Sequence, residues 1–444
     1  MKKTKDVWHR RLVVYIRRSM QWFVPGLGVK RWLGLVLIGT TLIGVGLAVL
    51  ILDVYRNAPE TWWLPVLSAI SLRSLDRPFR ALIFGGLGLG FIFTGLWGLN
   101  RALLAPYLQR GKPVVDTLAS FRRKERGPRI VVIGGGHGLA TLLRGLKNYT
   151  HNLTAVVSVA DDGGSSGRLR RTMSILPPGD IRNCLAALSN DEALLGQLFQ
   201  YRFPSTGDGL EGHSFGNLFI TALADITGSF EEAVAESGRV LAVYGNVMPA
   251  TLHDVRLVAD VILPHTADEV RIEGESSIPE TAGNVRRLWL EPSDPPAYPG
   301  VIQAILSAEL IVIGPGSLYT SILPNLLVPD IAAAIRTSRA LKIYVGNIAT
   351  QPGETDGYTC DDHVRVIEEH VGTGFFDLIV SNLSCEAELP KNVSWVLAED
   401  DLDVDHAVYR ANLLDMDHPW RHDSEKLAKV LIDLYYDRTG PLVE

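Results

Sequence analysis

Two hydrophobic patterns divide the chain. Residues 33–52 (LGLVLIGTTLIGVGLAVLIL) and 81–100 (ALIFGGLGLGFIFTGLWGLN) each run twenty positions without a charge, long enough for a helix to cross a bilayer core. From Arg129 onward the pattern changes to short β-branched runs, glycine loops and helical spacing: RIVVI, then GGGHG, then Leu139, Leu142, Leu143 and Leu146. LTAVVSV, ELIVI, LKIYV and FFDLIV repeat the strand pattern, and helices are expected over CLAAL, over LFITAL and from Asp361 and Ser424. Strands alternating with helices predict a doubly wound parallel sheet. Between Asp254 and Ile278 the period switches to two, which predicts an antiparallel excursion off that sheet.

The expected organisation is a basic N-terminal region (1–112) with two transmembrane helices, a basic linker (113–127) and an α/β body (128–444). Charge reinforces the division. Residues 1–127 hold 20 Lys+Arg against 6 Asp+Glu, and residues 128–444 hold 23 against 43. Basic residues cluster before the first apolar run and after the second, so the positive-inside rule puts both ends of a hairpin in the cytoplasm, at the inner membrane. Trp62 and Trp63 fall in the outer loop, where an aromatic belt would rest. Gly86 and Gly90 offer one small-residue spacing for packing the hairpin or a homo-oligomer. A cleaved signal peptide fits poorly, because thirty-odd residues precede the first run. An apolar share of 47% excludes a disordered chain, and three scattered cysteines exclude a disulfide scaffold. The acidic body argues against nucleic acid as a partner.

Candidate chemistry sits where strands end. Gly134, Gly135, Gly136, His137 and Gly138 form a strand–turn–helix loop of the kind that brings backbone N–H groups to a diphosphate. The match to G-x-G-x-x-G is imperfect, since Leu139 or Thr141 falls in the third glycine's place. The second strand leads to Asp161, Asp162, Gly163, Gly164, Ser165, Ser166 and Arg168, where acids can take a ribose hydroxyl or Mg²⁺ and the rest can meet phosphate. Asp161 and Asp162 are thus the candidate metal ligands, and Mg²⁺ the one candidate ion; no cofactor is fixed by the sequence. Asp180 suits either an N-cap or a ligand contact, and Asn183 lies beside it. Gly212–Gly216 reads G-x-S-x-G, but no strand precedes Ser214, so it predicts a helix cap rather than a nucleophile elbow. Asn217 remains open to a ligand. Gly314, Gly316 and Ser317 form a second loop after a strand, and two helix N-termini can converge on one diphosphate.

The segments GGGHGLATLLRGLK, AVVSVADDGGSSGRLR, PPGDIRNCLAALS, HSFGNL, YGNVMPATL, GPGSLYTSILPNLL and NIATQPGETDGYT, in that order, closely resemble the YvcK-type family. These are bacterial UDP-N-acetylglucosamine-binding proteins, also called gluconeogenesis factors, within the CofD-like superfamily. The resemblance covers roughly residues 128–435 and implies a modified Rossmann core and UDP-sugar binding. It further implies a regulatory role in carbon use, envelope synthesis and cell shape, exerted through envelope-building or regulatory proteins. Carried onto this chain, the ligand-contacting segments fall at 134–138, 161–168, 180–183, Asn217 and 314–319, with Tyr319 placed either against the uracil or sugar or in the core. Typical members look soluble, so the N-terminal hairpin is a departure. The related transferase branch moves phospholactate to a deazaflavin with Mg²⁺, which makes an enzyme the rival reading. An NAD-dependent oxidoreductase ranks third, for want of a complete fingerprint.

Overall fold

The computed structural model describes residues 76–104, 122–189, 197–204, 209–263, 268–281 and 283–439, with isolated positions at 37, 40, 41, 44, 47, 48, 194 and 196. Two compact units, Met1–Arg122 and Arg123–Glu444, divide the chain.

In the first unit, helix α1 (Arg77–Leu104) contains the second apolar run, and Phe79, Leu82, Leu87, Leu89, Phe93 and Trp97 are exposed on it. The first run and the loop bearing Trp62 and Trp63 lie outside the described residues, apart from isolated positions within 37–48. Among the described residues no single helix is long and apolar enough to cross a membrane, so the expected hairpin is not shown.

The second unit is built on seven parallel strands: β1 (Ile130–Gly134), β2 (Leu153–Val157), β3 (Asn246–Pro249), β7 (Leu310–Ile313), β8 (Leu341–Val345), β9 (Leu378–Asn382) and β10 (Val408–Ala411). Their order is β10-β9-β8-β7-β1-β2-β3. The chain winds outward from β1 through β2 to β3, returns to the centre, and winds the other way from β7 to β10. The reversal lies between β1 and β7, which pair in register from Ile130↔Leu310 to Ile133↔Ile313. Both faces of these strands are buried, which is why the sequence shows unbroken apolar runs rather than alternation. Val131, Ile133, Ile311 and Ile313 enter one core layer, and Ile130, Val132, Leu310 and Val312 enter the other.

The period-two segment forms a separate antiparallel sheet, β5-β4-β6 (β4, Arg256–Ile262; β5, Glu269–Glu273; β6, Asn284–Glu291). It packs Leu257, Ala259, Val261, Leu288 and Leu290 onto the first core layer. The excursion was legible; its third strand, β6, and the short outer strand β10 were not.

Helices α2 (Gly136–Leu146), α3 (Gly164–Met173) and α4 (Gly179–Leu188) follow β1 and β2, and α5 (Phe215–Thr227) follows the G-x-S-x-G segment. Ser214 caps α5 by accepting from the Asn217 N–H, the role expected of it in place of a nucleophile. Two glycines after β1 are required by the loop. Gly136 sits at φ +61°, and a Cβ on Gly138 would stand 2.5 Å from the Pro315 carbonyl oxygen. Substituting Gly138→Ala is therefore expected to destabilise the protein by about 1–3 kcal/mol through overpacking, read as a lower Tm. An unchanged Tm would mean that the loops after β1 and β7 do not touch.

Candidate functional site

The carboxyl ends of β1 and β7 open into one cavity of about 670 Å³, at the topological switch point where open α/β sheets bind ligands. Its floor is the two glycine loops, Gly135–Gly138 and Pro315–Ser317. The first turn of α2 has N–H groups without intrahelical partners. One of them, Gly136 N–H, is taken by the Asp180 carboxylate; the others are the donors such a turn offers to an anion. The second loop is held by a reciprocal clamp, Gly316 N–H to Asn347 Oδ1 (3.2 Å) and Asn347 Nδ2 to the Gly316 carbonyl (2.9 Å).

One wall is acidic. Asp161, Asp180, Glu275 and Glu354 all line the cavity. Desolvation, followed by repulsion from Asp161, pushes Asp180 up to about 6. Desolvation and the neighbouring Asp161, Asp180 and Glu354 push Glu275 up to about 8, and desolvation lifts Glu354 to about 7 against the hydrogen bonds that favour its charge. Asp161 is also raised by burial, although it accepts from Gly163 N–H and Ser166. Trp420, Arg421 and His422 form another part of the lining, with Pro390 and Val393. His137 is held below its usual value by burial and then by nearby guanidinium groups, Arg421 first.

Of the residues expected from sequence, Gly135, Gly136, His137, Gly138, Asp161, Asp180, Gly316 and Ser317 line the cavity. Asp180 is not a helix cap: Pro178 holds that position. The Gly134 carbonyl accepts from buried Asn325 (3.0 Å), and Gly314 turns the second loop at φ +78°. Gly163 and Gly164 start α3. Asp162 does not join Asp161 at the cavity. Its Oδ1 accepts from Ser276 N–H (2.9 Å), and no group of three or more His, Cys, Asp or Glu among the described residues is set to hold a metal ion. Tyr319 is fully buried, with its hydroxyl against Tyr358 (3.0 Å). It belongs to the core and not to the cavity lining.

Ser165, Arg168, Asn183 and Asn217 lie behind the cavity in a polar network around Arg182, which is 5% exposed. Arg182 donates to Ser214, to Asn217 Oδ1 (3.1 Å) and to Asn183 Oδ1 (2.9 Å). Asn217 Nδ2 donates to Ser165 Oγ (3.0 Å). Arg168 donates to His213 Nε2 (3.2 Å), which leaves the imidazole hydrogen on Nδ1, 3.0 Å from Ser165 Oγ. These hydrogen-bonding partners of Arg182 are all neutral, and burial lowers its pKa to about 10. Sequence reading missed Glu275, Glu354, Trp420, Arg421 and His422, and covered Arg182 only as part of the segment 180–183. None belongs to a recognisable spacing, although Glu354 and Arg182 stand inside motifs noticed for other residues.

A doubly wound α/β body with two glycine loops meeting under one polar cavity at the switch point defines a ligand-binding class of α/β protein. The model of the 2-phospho-L-lactate transferase CofD family matches residues 130–439. A Bacillus subtilis protein named gluconeogenesis factor is 45% identical over 316 residues, 69% of this chain and 98% of that protein. A Nostoc sp. protein carrying the same name provisionally is 48% identical over 436 residues, 95% of this chain and 93% of its own length. A crystal structure of a UPF0052 family member from Bacillus halodurans shares 40% identity at a TM-score of 0.64, covering 69% of this chain and 99% of its own. The chain belongs to the CofD family, among the relatives named gluconeogenesis factors. The Nostoc alignment takes in most of the N-terminal region, so that region is not a departure peculiar to this chain.

The acidic wall sets a pH dependence. Between the unfolded carboxyl values near 4 and the folded values of about 6 to 8, the folded state binds more protons, so stability falls as pH rises through that window. Denaturation at pH 5 and pH 8 is expected to show a larger loss for the wild type than for Glu275→Gln. Equal losses would mean that Glu275 is solvated.

Proposed function

We propose that this protein is a membrane-tethered receptor for UDP-N-acetylglucosamine that links gluconeogenic growth to cell-envelope synthesis and cell shape. The observation that carries the reading is the convergence of the two glycine loops on one cavity of about 670 Å³, a volume within the range of small-molecule sites. In this reading the diphosphate lies over Gly135–Gly138 and Gly316–Ser317, and no turnover is required. The relatives' name connects it to carbon use. Residues 33–52 and 81–100 supply the tether, with the exposed apolar side chains of α1 facing lipid and both chain ends in the cytoplasm. The bound body signals to envelope-synthesis or regulatory proteins, as a monomer or a homo-oligomer; nucleic acid is not a partner.

The competing reading is a nucleotide-dependent phospholactyl-type transferase, and the description of the matching family favours it. Calorimetry on the full chain with UDP-N-acetylglucosamine, GDP and NAD, each with and without Mg²⁺, separates the two. Selective UDP-sugar binding without consumption is expected. No binding at millimolar ligand overturns the receptor, and GDP preference with Mg²⁺-dependent nucleotide release supports the transferase.

Two further outcomes follow. A Cβ at Gly316 meets nothing closer than 3.4 Å, so Gly316→Val is expected to fold while its methyl groups intrude on the ligand and weaken binding roughly tenfold or more; unchanged affinity would place the pocket elsewhere. A reporter fused after Glu444 is expected to read cytoplasmic, and an outside reading overturns the topology.

A further inference from the structure

Glu354 is 4% exposed yet lines the cavity. Its Oε1 accepts from Thr320 Oγ1 (3.0 Å), and the backbone N–H groups of Tyr319 and Thr320 also donate to the carboxylate. Oε2 is buried and has no partner at all. A buried carboxylate oxygen left without a donor is costly, and native structures rarely keep one without a role. Oε2 therefore has room for a donor from whatever enters the cavity.

Glu275 stands on the neighbouring segment. The turn carrying Glu354 packs directly on the short helix Ser277–Glu280 that follows Glu275, since a Cβ on Gly353 would lie 2.1 Å from the Pro279 carbonyl oxygen. Asp162 fixes the start of that helix through Ser276 N–H. Glu275 and Glu354 are close enough to feel each other's charge, yet no hydrogen bond or ion pair joins them.

Three kinds of group could meet such a wall. A phosphate is repelled by four carboxyl groups and is better served by the backbone N–H groups of the floor. A divalent cation can be held by one or two carboxylates together with waters and ligand phosphates, and the Mg²⁺ arms of the calorimetry above read that alternative. An uncharged group rich in hydroxyl or amide N–H donors matches both the acceptor and the charge.

We propose that Glu354, seconded by Glu275, recognises the hydroxyl-bearing moiety of the ligand beyond its diphosphate, with Oε2 accepting a hydrogen bond from a hydroxyl or amide N–H. The inference rests on the nucleotide-sugar reading above and adds to it the end of the cavity that the sugar occupies and the residues that select it. The sugar thus lies along the loop before helix Ser277–Glu280 and the turn after Pro352, opposite in chemistry to the donor-rich floor.

The test compares UDP with UDP-N-acetylglucosamine by calorimetry on the full-length protein, taking the ratio of the two Kd values. The wild type is expected to favour the sugar nucleotide roughly 10- to 100-fold, the range set by hydrogen bonds to a charged group. In Glu354→Ala the ratio should fall to near 1. Glu354→Gln guards against a folding failure, because its carbonyl still serves Thr320 and the backbone donors while its amide nitrogen removes the acceptor; its ratio should fall as well. Glu275→Ala, which breaks no intramolecular hydrogen bond, should lower the ratio less. A wild-type ratio near 1, or wild-type ratios in both Glu354 variants, overturns the assignment while leaving nucleotide binding standing. Failure of the wild type to bind even UDP removes the nucleotide reading, and this inference with it.

Discussion

The contact on which the site depends is backbone against backbone. The first turn of α2 reaches the loop after β7 at Gly138, where any side chain would strike the Pro315 carbonyl. That approach is available only where two neighbouring parallel strands send their chains to opposite sides of the sheet. It sets how far apart the two loops stand, and so fixes the floor of the cavity. The β1–β7 pairing with its two buried faces holds the strands in register beneath it. The clamp between Gly316 and Asn347 then ties the second loop to the next strand's end.

Around this floor the electrostatics are arranged in two layers. Carboxyl groups face the cavity and are kept from full ionisation by desolvation and mutual repulsion. Behind them Arg182 is buried among amide and hydroxyl partners and not paired with a carboxylate. Its charge acts at a distance, lowering both Asp180 and His137. Neutral partners spare the network the need to bring a second charge out of water. They also give Asn183, Asn217 and Ser165 fixed orientations behind the wall.

Much of this was legible in the sequence, and the limits have physical causes. Apolar runs bounded by glycine announced β1, β2, β7, β8 and β9 because a strand buried on both faces has to be apolar throughout. β10 escaped notice: it is four residues, none fully buried. The glycine loops could be found because close approach leaves a compositional mark. Glu275 and Glu354 could not, since a single glutamate in a polar loop reads the same whether it faces solvent or a cavity. Asn183, Asn217 and Arg168 read as ligand contacts because polar residues in glycine-rich loops and at helix starts usually face outward; here Asn183 and Asn217 turn to Arg182, and Arg168 to His213 and Glu211. Tyr319 shared its segment with Ser317 but not its environment, because the helix that begins at Leu318 turns Thr320 and Ser321 to the cavity and Tyr319 to the core.

The antiparallel sheet inserted between β3 and β7 contributes Glu275, Ser276 and Pro279 to the cavity, while the parallel sheet contributes the floor. The two parts of the site therefore have separate structural origins. The acidic wall is the seam between them: Glu275 reaches it from the insertion and Glu354 from the loop after β8, so a change in either part alters the same surface.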